Sequence, residues 1–429
     1  MSSRWRQMAP DSQLTPQADR QRAQQGHGSE LRAEHLRGAR PLVIAWRRHL
    51  HSHPELSFHE HETARYITAQ LTEMGLVPFS PTPTSVVADI HGARPGRTIA
   101  VRADIDALAV TEETGLPFAS QTPGVMHACG HDGHTAALLG AAAVLTTTRM
   151  ELAGRVRLIF QHAEELHPHG APALIEAGVL DGVDAIIGQH LLSLMPLGVV
   201  GIAPGLMLAS CDQFEITFTG RGGHGALPHQ TRDPVAAATD MLHAMHRLIA
   251  REVDPRQTAV ASVTRIHAGE AFNVIPPTAT IGGTMRAFDA SVRSELRDRI
   301  TELANQVAAM HRMEAHVDFS SAGLPALVND ISVLKVIEGV VEDTGMADLQ
   351  VVEPLPGSED YACYLEHVPG AYVWVGAMPD GVSEPFTHHH PRFAINEDAL
   401  AISTTLLAET AARLADPLTP MGDTGNPAA

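Results

Sequence analysis

Residues 126–136 read "MHACGHDGHTA" and place one cysteine, three histidines and one aspartate in a single short segment. The strand-like stretch "TIAVRAD" precedes this segment, and the apolar helical pattern "HTAALLGAAAVLTT" follows from His134. The segment is therefore predicted to be the loop of a strand–loop–helix unit. The chain has 26 histidines among 429 residues, so a chance cluster of histidines is a serious alternative to a binding site.

The same alternation of strands and helices extends over residues 41–208. The segments "SVVADI", "RVRLIFQHA" and "AIIGQHL" are typical of strands, whereas residues 63–76 and the stretch "APALIEAGVL" are typical of helices. The alternation resumes after residue 324 with a helix over 330–344, the strand "AYVWVGA" and a closing helix. This order predicts an α/β fold whose sheet has substantial parallel character.

The region between these two parts has a different pattern. From "FEITFTG" to "EAHVDFSS" the order is strand, helix, strand, strand, helix and strand, which is the order of a ferredoxin-like domain. The sequence therefore predicts an α/β domain interrupted by an inserted ferredoxin-like α+β domain. The predicted boundaries are a disordered or loosely helical extension at 1–40, the first part of the larger domain at 41–208, the inserted domain at 209–323, the second part at 324–416 and a tail at 417–429.

Composition argues against several kinds of partner. The formal net charge is −19 and no basic stripe occurs, so we expect no nucleic-acid partner. No apolar run approaches the ~20 residues that a transmembrane helix needs, so we expect no membrane partner. The N-terminal extension is rich in Gln, Arg and Ser and lacks the apolar centre of a secretory signal. Because Cys129, Cys211 and Cys363 form no disulfide framework, we expect a cytoplasmic protein.

Ionisable side chains follow the carboxyl ends of four predicted strands. They are Asp104 and Asp106, Glu164 and Glu165, His190, and His388, His389 and His390 in the loop after "AYVWVGA". The carboxyl ends of parallel strands meet at one edge of a sheet, where open α/β folds bind ligands, and the loop with Cys129 lies at the same edge. Carboxylates, imidazoles and thiolates bind divalent cations, so the sequence predicts a metal site at this edge.

The spacing of these residues suggests how they divide the work. Cys129 and His131 are two residues apart, so their side chains point to the same side if the segment is extended. Glu164 and Glu165 are adjacent and would point to opposite faces, which favours one as a metal ligand and the other as a general base acting on water. Two alternatives stay open: the glutamates are surface acids, or Cys129 is a covalent nucleophile with a histidine base.

Further segments extend the pattern over most of the chain. They are "RRHLHSHPELSFHEHET", "RADIDAL", "QHAEE", "GRGGHGALPH", "FNVIP", "GTMRAF", "GSEDY" and "INEDAL". Together with residues 126–136, and in the same order and spacing over about residues 41–415, they closely resemble the M20 metallopeptidase family. The resemblance is greatest to its amidohydrolase branch, which contains hippurate hydrolases, N-acyl-amino-acid deacylases and auxin-conjugate hydrolases.

The resemblance implies roles for particular residues. The implied metal ligands are Cys129, His131, Glu165, His190 and His389. The implied catalytic residues are Glu164 as general base, Asp106 as the group that orients the metal centre, and His224, which would polarise the scissile carbonyl in a partner subunit's active site. Asn273 and Arg286 are implied to hold the substrate's carboxylate. The ligand is placed at His389 by alignment alone, so His388 and His390 remain alternatives.

The resemblance also implies an architecture and a reaction. It implies a catalytic metallopeptidase-type α/β domain that binds two divalent ions, zinc or manganese with cobalt or nickel as further candidates, and a ferredoxin-like lid that forms a homodimer. The predicted function is a binuclear metal-dependent amidohydrolase that cleaves N-acetyl, N-benzoyl or similar N-acyl amino acids to a free amino acid and a carboxylic acid. The alternatives are a metallo-dipeptidase or carboxypeptidase of the same family, and a thiol hydrolase that uses Cys129.

Overall fold

The structure, a computed structural model, describes residues 16–319 and 323–421, with side chains from Gly28 onward. The helices in this part of the chain are α1 (Pro16–Ser52), α2 (His61–Glu73), α3 (His131–Thr147), α4 (Gly170–Glu176), α5 (Pro234–Glu252), α6 (Ala290–Met310), α7 (Ile331–Thr344), α8 (Ala362–Leu365) and α9 (Ala399–Ala415). The strands are β1 (Val86–His91), β2 (Arg94–Asp104), β3 (Ala153–Gln161), β4 (Ala185–Leu192), β5 (Val199–Ile202), β6 (Leu206–Leu208), β7 (Asp212–Thr219), β8 (Gly223–His224), β9 (Ala259–His267), β10 (Val274–Ile275), β11 (Thr278–Ala287), β12 (Glu314–Phe319), β13 (Leu327–Val328), β14 (Asp348–Val351) and β15 (Gly370–Gly376). Among the described residues, no helix combines the length and apolar character needed to cross a bilayer.

A seven-stranded mixed sheet forms the centre of the larger unit, in the order β1-β3-β2-β4-β15-β5-β14. The central run β3-β2-β4-β15 is parallel, whereas β1 and β5 are antiparallel to β3 and β15. Every residue of β15 is buried, as expected for a parallel strand that is covered on both faces. The parallel centre confirms the predicted α/β class.

The sheet separates two apolar cores. In β2, Ile99 and Val101 belong to the core under α3 and α9, whereas Ala100 between them belongs to the core under α4 and α8. Gly140 allows α1, α3 and α9 to pack closely, because a Cβ at that position would lie 2.6 Å from Val43 and 2.8 Å from Thr404. Helix α3, which begins at the Cys129 loop, is therefore held firmly against the sheet.

The second unit contains β7, α5, β9, β11, α6 and β12 in chain order. Its four strands form an antiparallel sheet in the order β12-β7-β11-β9. Helices α5 and α6 share an apolar core with this sheet, which includes Phe218, Met241 and Ile300. The arrangement agrees with the ferredoxin-like unit expected from the sequence. The predicted domain boundaries stay predictions.

The described part of the N-terminal extension is helical, which agrees with the second of the two expectations for this segment. Helix α1 already begins at Pro16, and its buried Arg32 forms a two-pronged ion pair with Glu409 of α9 at 2.9 and 2.8 Å. The sequence alone does not indicate that this polar helix docks, because Glu409, the acid that pairs with the buried Arg32, lies 377 residues away in the chain. Residues 1–15, and residues 422–429 of the predicted tail, lie outside the described residues.

Candidate metal centre

The carboxyl ends of the central strands bring the predicted groups to one edge of the seven-stranded sheet. β2 ends at Asp104, β3 ends at Gln161 shortly before the two glutamates, and β4 carries His190 near its end. The loop after β15 carries His388 and His389. Residues from distant parts of the chain therefore converge where open α/β folds bind their ligands.

The buried thiol of Cys129 lies between two groups of possible ligands. Its Sγ is 3.4 Å from Nε2 of His190 and 3.6 Å from Nδ1 of His388. A second group around the same thiol contains Glu165 and His389, whose Oε1 and Nε2 atoms are 3.1 Å apart. Within each group of three, the ligand atoms lie within 4.8 Å of one another. Cys129 thus belongs to both groups.

The backbone around Cys129 is a turn, which corrects the assumption of an extended segment. Gly130 has a φ of 94°, in the left-handed region that favours glycine, and it immediately precedes the first residue of α3, His131. This turn, rather than strand alternation, places both Cys129 and His131 beside Glu165.

Asp106 fixes the orientation of the His131 ring. Nδ1 of His131 lies 3.0 Å from the carbonyl oxygen and 3.2 Å from Oδ1 of Asp106, so this nitrogen carries the hydrogen and donates it. Oδ2 of Asp106 accepts from Oγ of Ser57 at 2.7 Å and from N of Glu165 at 3.1 Å. Nε2 of His131 is buried without a hydrogen-bond partner among the described residues, and Oε1 of Glu165 is 3.8 Å away.

His134 lies in the same buried region, but both of its ring nitrogens are occupied. Its Nδ1 is 2.6 Å from Oδ1 of Asp104, and its Nε2 accepts from N of Leu191 at 2.9 Å. His134 therefore supports Asp104 and has no lone pair left for a cation. Burial alone would raise the pKa of Asp104, but His131, His134 and Arg102 hold it well below its usual range.

The two glutamates occupy a turn after β3. Ala163 has a φ of 48° in this turn, and its N donates to Oε1 of the buried Glu60 at 2.8 Å. The turn brings carboxylate oxygens of both Glu164 and Glu165 close to the ring of His131. The assumption of an extended segment is wrong here too, and the difference between the two glutamates comes from their surroundings.

Glu164 lies against other acids. Its carboxylate is within 4.8 Å of those of Glu359 and Asp360. Burial, followed by the charges of Glu359 and Glu165, raises the pKa of Glu164 well above its usual value. Burial likewise raises the pKa of Asp360 to about 8. A raised pKa strengthens the Glu164 carboxylate as a proton acceptor, which suits a residue that takes up and returns a proton.

Arg102 offsets part of this negative charge. It is fully buried and donates to Asp104 at 2.6 Å, to Glu359 at 2.9 Å and to Asp360 at 2.7 Å. The carboxyl groups around the centre are Asp104, Asp106, Glu164, Glu165, Glu359 and Asp360. This excess of acids over one guanidinium leaves negative charge that divalent cations would neutralise.

The three consecutive histidines of the C-terminal loop separate into two inner rings and one outer ring. His389 has a φ of 66°, and its N donates to O of Ala128 at 2.8 Å, which ties the loop to the Cys129 segment. His390 instead stacks on Phe386, with 4.3 Å between the ring centroids. Both His388 and His389 lie in the cluster, whereas His390 lies outside it.

Of the three residues expected to contact substrate, Arg286 approaches the centre within one chain. Its Nη1 donates to Oγ of Ser358, the residue before Glu359, at 3.2 Å. His224 and Asn273 lie together on the two-stranded ribbon formed by β8 and β10, where both are exposed. The hydrogen bonds described for them stay within that ribbon.

Several residues of the site received no role from the sequence. Arg102, Glu359 and Asp360 occur in the segments "RADIDAL" and "GSEDY", but their spacing does not indicate that they meet. Glu60, which holds the glutamate turn, gave no signal either. For Arg102 a signal existed, because a charged residue inside the apolar strand "TIAVRAD" needs buried acidic partners.

The donor set fits divalent cations. It combines a thiol, imidazoles and carboxylates, and a buried nitrogen of His131 has no other described partner. Burial lowers the pKa of His131, but the acids Asp104, Asp106 and Glu165 outweigh it and raise the pKa to about 10. A cation bound to this ring would therefore replace a proton. An α/β sheet with such a cluster at its carboxyl edge defines a protein of the divalent-cation-binding type.

Comparisons with known proteins agree with this class. The chain belongs to peptidase family M20/M25/M40, whose family model matches residues 100–413. It is 44% identical over 379 residues to an N-acetyl-L-cysteine deacetylase of Bacillus subtilis, covering 87% of this chain and 88% of the relative. It is 46% identical over 289 residues to an N-acyl-L-amino acid amidohydrolase of Geobacillus stearothermophilus, covering 67% of this chain and 78% of the relative. The fold is also similar to a crystal structure from Bacillus subtilis, described as a dinuclear metal-binding peptidase of the M20 family. The two superimpose with a TM-score of 0.77 at 38% sequence identity, and the match covers 88% of this chain and 99% of the other.

Proposed function

We propose that this protein is a binuclear metal-dependent amidohydrolase that cleaves N-acyl amino acids to a free amino acid and a carboxylic acid. The observation that carries the proposal is the buried thiol of Cys129, which belongs to two adjacent groups of ligand atoms. The two curated relatives described above are named for acting on N-acyl amino acids. The solved relative is described as binding two metals.

The proposed ligands divide between two cation positions. They are Cys129, shared by both positions, with His131, Glu165, His190 and His389. A divalent cation bound there lowers the pKa of water toward neutrality and polarises the substrate's carbonyl. The chain's own contribution is to hold the donors in place: Asp106 keeps Nδ1 of His131 protonated, so that Nε2 presents its lone pair. Ser57 and N of Glu165 in turn hold Asp106.

Glu164 is proposed to move the proton. Its carboxylate lies among the ligand groups, and burial together with the nearby charges of Glu359 and Asp360 raises its pKa, which strengthens it as a proton acceptor. Such a residue takes a proton from the attacking water and returns it to the departing amine, which makes the amine a better leaving group. Glu165, whose Oε1 is 3.1 Å from Nε2 of His389, has the surroundings of a ligand instead.

The substrate's carboxylate is proposed to meet Arg286. A guanidinium suits this task because it recognises carboxylates with two parallel hydrogen bonds. Arg286 extends from β11 of the second unit to Ser358, beside the acids of the centre. Asn273 and His224 would complete the site, and because both are exposed and hydrogen-bond only within their own ribbon among the described contacts, we propose that they serve the active site of a second subunit.

A homodimer through the second unit is proposed on this basis. Strand β9 is an edge of the four-stranded sheet and exposes Val260 and Ile266, and the loop that follows it exposes Phe272 completely. An open strand edge with apolar side chains favours pairing with another chain. The cytoplasmic location stays a prediction from the three cysteines, all of which are unpaired in the structure.

A panel of substrates tests the proposed activity. Metal-stripped protein is reloaded with zinc, manganese, cobalt or nickel and given N-acetyl, N-benzoyl and indoleacetyl amino acids, together with free and acyl-capped dipeptides. Cation-dependent release of free amino acid from the N-acyl substrates supports the proposal. Cleavage of free dipeptides alone would instead favour a metallo-dipeptidase or carboxypeptidase. This alternative is included because the solved relative is described as a peptidase.

A thiol hydrolase mechanism at Cys129 is disfavoured by the surroundings of that thiol. Burial, followed by the charges of Glu165 and Glu164, raises its pKa well above the usual value, whereas nucleophilic cysteines have lowered pKa values. A thiol mechanism predicts that chelators leave activity intact, so the same panel run with EDTA separates the two mechanisms.

A further inference from the structure

His388 lies against the thiol of Cys129, and the ligand set proposed above does not include it. Its ring packs between His190 and Phe393, with centroid distances of 5.0 and 4.8 Å. Its Nδ1 lies 3.6 Å from Sγ of Cys129, whereas its Nε2 is buried without a hydrogen-bond partner among the described residues. The nitrogen that faces the thiol, and that a cation beside the thiol would meet, is therefore Nδ1.

The neighbouring ring is already oriented to bind a cation. Nδ1 of His190 donates to O of Leu191 at 3.0 Å, so its Nε2 presents a lone pair toward Sγ of Cys129, 3.4 Å away. Two imidazole nitrogens, from His190 and His388, therefore converge on one sulfur from different segments of the chain.

The separations of these atoms match those of ligands around one tetrahedral cation. Zinc–sulfur bonds of ~2.3 Å and zinc–nitrogen bonds of ~2.0–2.1 Å at tetrahedral angles place sulfur and nitrogen about 3.6 Å apart. The two sulfur–nitrogen distances here are 3.4 and 3.6 Å. A thiol that donates to one imidazole and accepts from the other would have similar distances, so a measurement of metal binding has to separate the two cases.

We propose that His388 is a metal ligand that completes the cation position formed by Cys129 and His190. The proposal rests on the proposed function, since it needs cations at Cys129. The second position shares this thiol and uses Glu165 and His389, so the two positions differ in chemistry. One offers the sulfur together with the nitrogens of His190 and His388, whereas the other has a carboxylate oxygen among its ligands.

The difference predicts which ion each position prefers. Thiolate and imidazole donors favour zinc or cobalt, whereas carboxylate oxygens also suit manganese. The position with His388 is therefore expected to hold zinc more tightly than the other position and to resist replacement by manganese. The outer ring of the same run, His390, lies outside the cluster and provides a matched control.

The test compares His388→Phe with His390→Phe. Phenylalanine keeps a flat ring against Phe393 but has no ligand atom. Zinc affinity is measured on metal-stripped protein by competition with a chromophoric chelator. We expect the affinity for the tighter zinc ion to fall by about 10- to 100-fold in His388→Phe and to stay unchanged in His390→Phe. Unchanged affinity in a folded His388→Phe protein would overturn the inference.

A second substitution gives a gain of signal and does not depend on how well the first folds. His388→Cys replaces one ligand by another, so cobalt binding should give a stronger thiolate-to-cobalt charge-transfer absorption than in the wild-type protein. His390→Cys should leave that absorption as it was. Equal absorption in the two cysteine variants would contradict ligation at residue 388.

The outcomes for the ligand and for the proposed function are distinguishable. A wild-type protein that binds zinc with the expected dependence on His388 but cleaves no N-acyl amino acid refutes the function and leaves the ligand assignment in place. Cation-dependent cleavage by a His388→Phe protein whose zinc affinities equal those of the wild type refutes the ligand assignment alone.

Discussion

Replacing Glu164 by glutamine should remove catalysis while leaving the metal ligands and the fold intact. The two groups that share Cys129 do not include Glu164, so Glu164→Gln should still bind two ions per chain. Glutamine has the same shape but cannot take up and return a proton. A residue in that role contributes about 10²–10⁴ in rate, or roughly 3–5 kcal/mol in the barrier, and kcat should fall by that amount.

The same substitution should not destabilise the cation-free protein. The folded-state pKa of Glu164 is raised above the unfolded value of about 4.5, because burial and neighbouring acids disfavour its charge. The folded state is therefore fully stable with respect to this group below about pH 4.5, where Glu164 is protonated in both states. As pH rises above that value, the charge that the unfolded state gains more easily lowers the free energy of unfolding, up to the folded-state pKa. Glutamine carries no such charge, so the stability of Glu164→Gln relative to wild type should increase with pH above about 4.5.

Three measurements check this prediction together. They are kcat on the best N-acyl amino acid, metal content by mass spectrometry, and urea unfolding in EDTA at pH 5 and pH 8. Glu176→Gln, an exposed substitution at the end of α4, is the control and should change none of them. Glu164→Gln protein with two ions and a kcat within about tenfold of wild type would refute the assigned role.

Other substitutions test the surroundings of the centre. Asp106→Asn removes the carboxylate that orients His131, so metal affinity should fall by about 10- to 100-fold, as measured by chelator competition. Arg102→Leu leaves buried acids without their cation and should lower the free energy of unfolding in urea by about 3–5 kcal/mol. The control Arg65→Leu removes an exposed ion pair and should lower it by less than about 1 kcal/mol. Equal losses in the two variants would contradict the buried network. Arg286→Ala should raise KM for N-acyl amino acids far more than for their carboxamides, and an equal rise for both would argue against carboxylate recognition.

The fold was largely readable because its signals are local. The apolar stretch from His134 predicts α3, and the alternating strand patterns predict β2, β3 and β4 at nearly their observed bounds. The short strands β5 and β14 escaped prediction, because strands of four residues carry too little periodicity. The docking of helix α1 escaped prediction because it depends on the pairing of Arg32 with Glu409, which no local pattern reveals.

The site was readable where chemistry follows the strand ends, and not where it depends on long-range contacts. The meeting of Glu164, Glu165 and His190 at one edge of the sheet was predictable because they lie at or just beyond the carboxyl ends of predicted parallel strands. The turns at Gly130 and Ala163, which aim the side chains, were not foreseen, and strand alternation gave the wrong geometry there. The order of the three C-terminal histidines around the thiol likewise depends on how one loop folds back onto the Cys129 segment.

Anomalous diffraction from crystals grown with zinc tests the central claim most directly. The account predicts two anomalous peaks, each about 2.3 Å from Sγ of Cys129, one on the side of His190 and the other beside Glu165 and His389. A single peak, or a pair of peaks of which only one contacts that sulfur, would contradict a thiol shared between two cations.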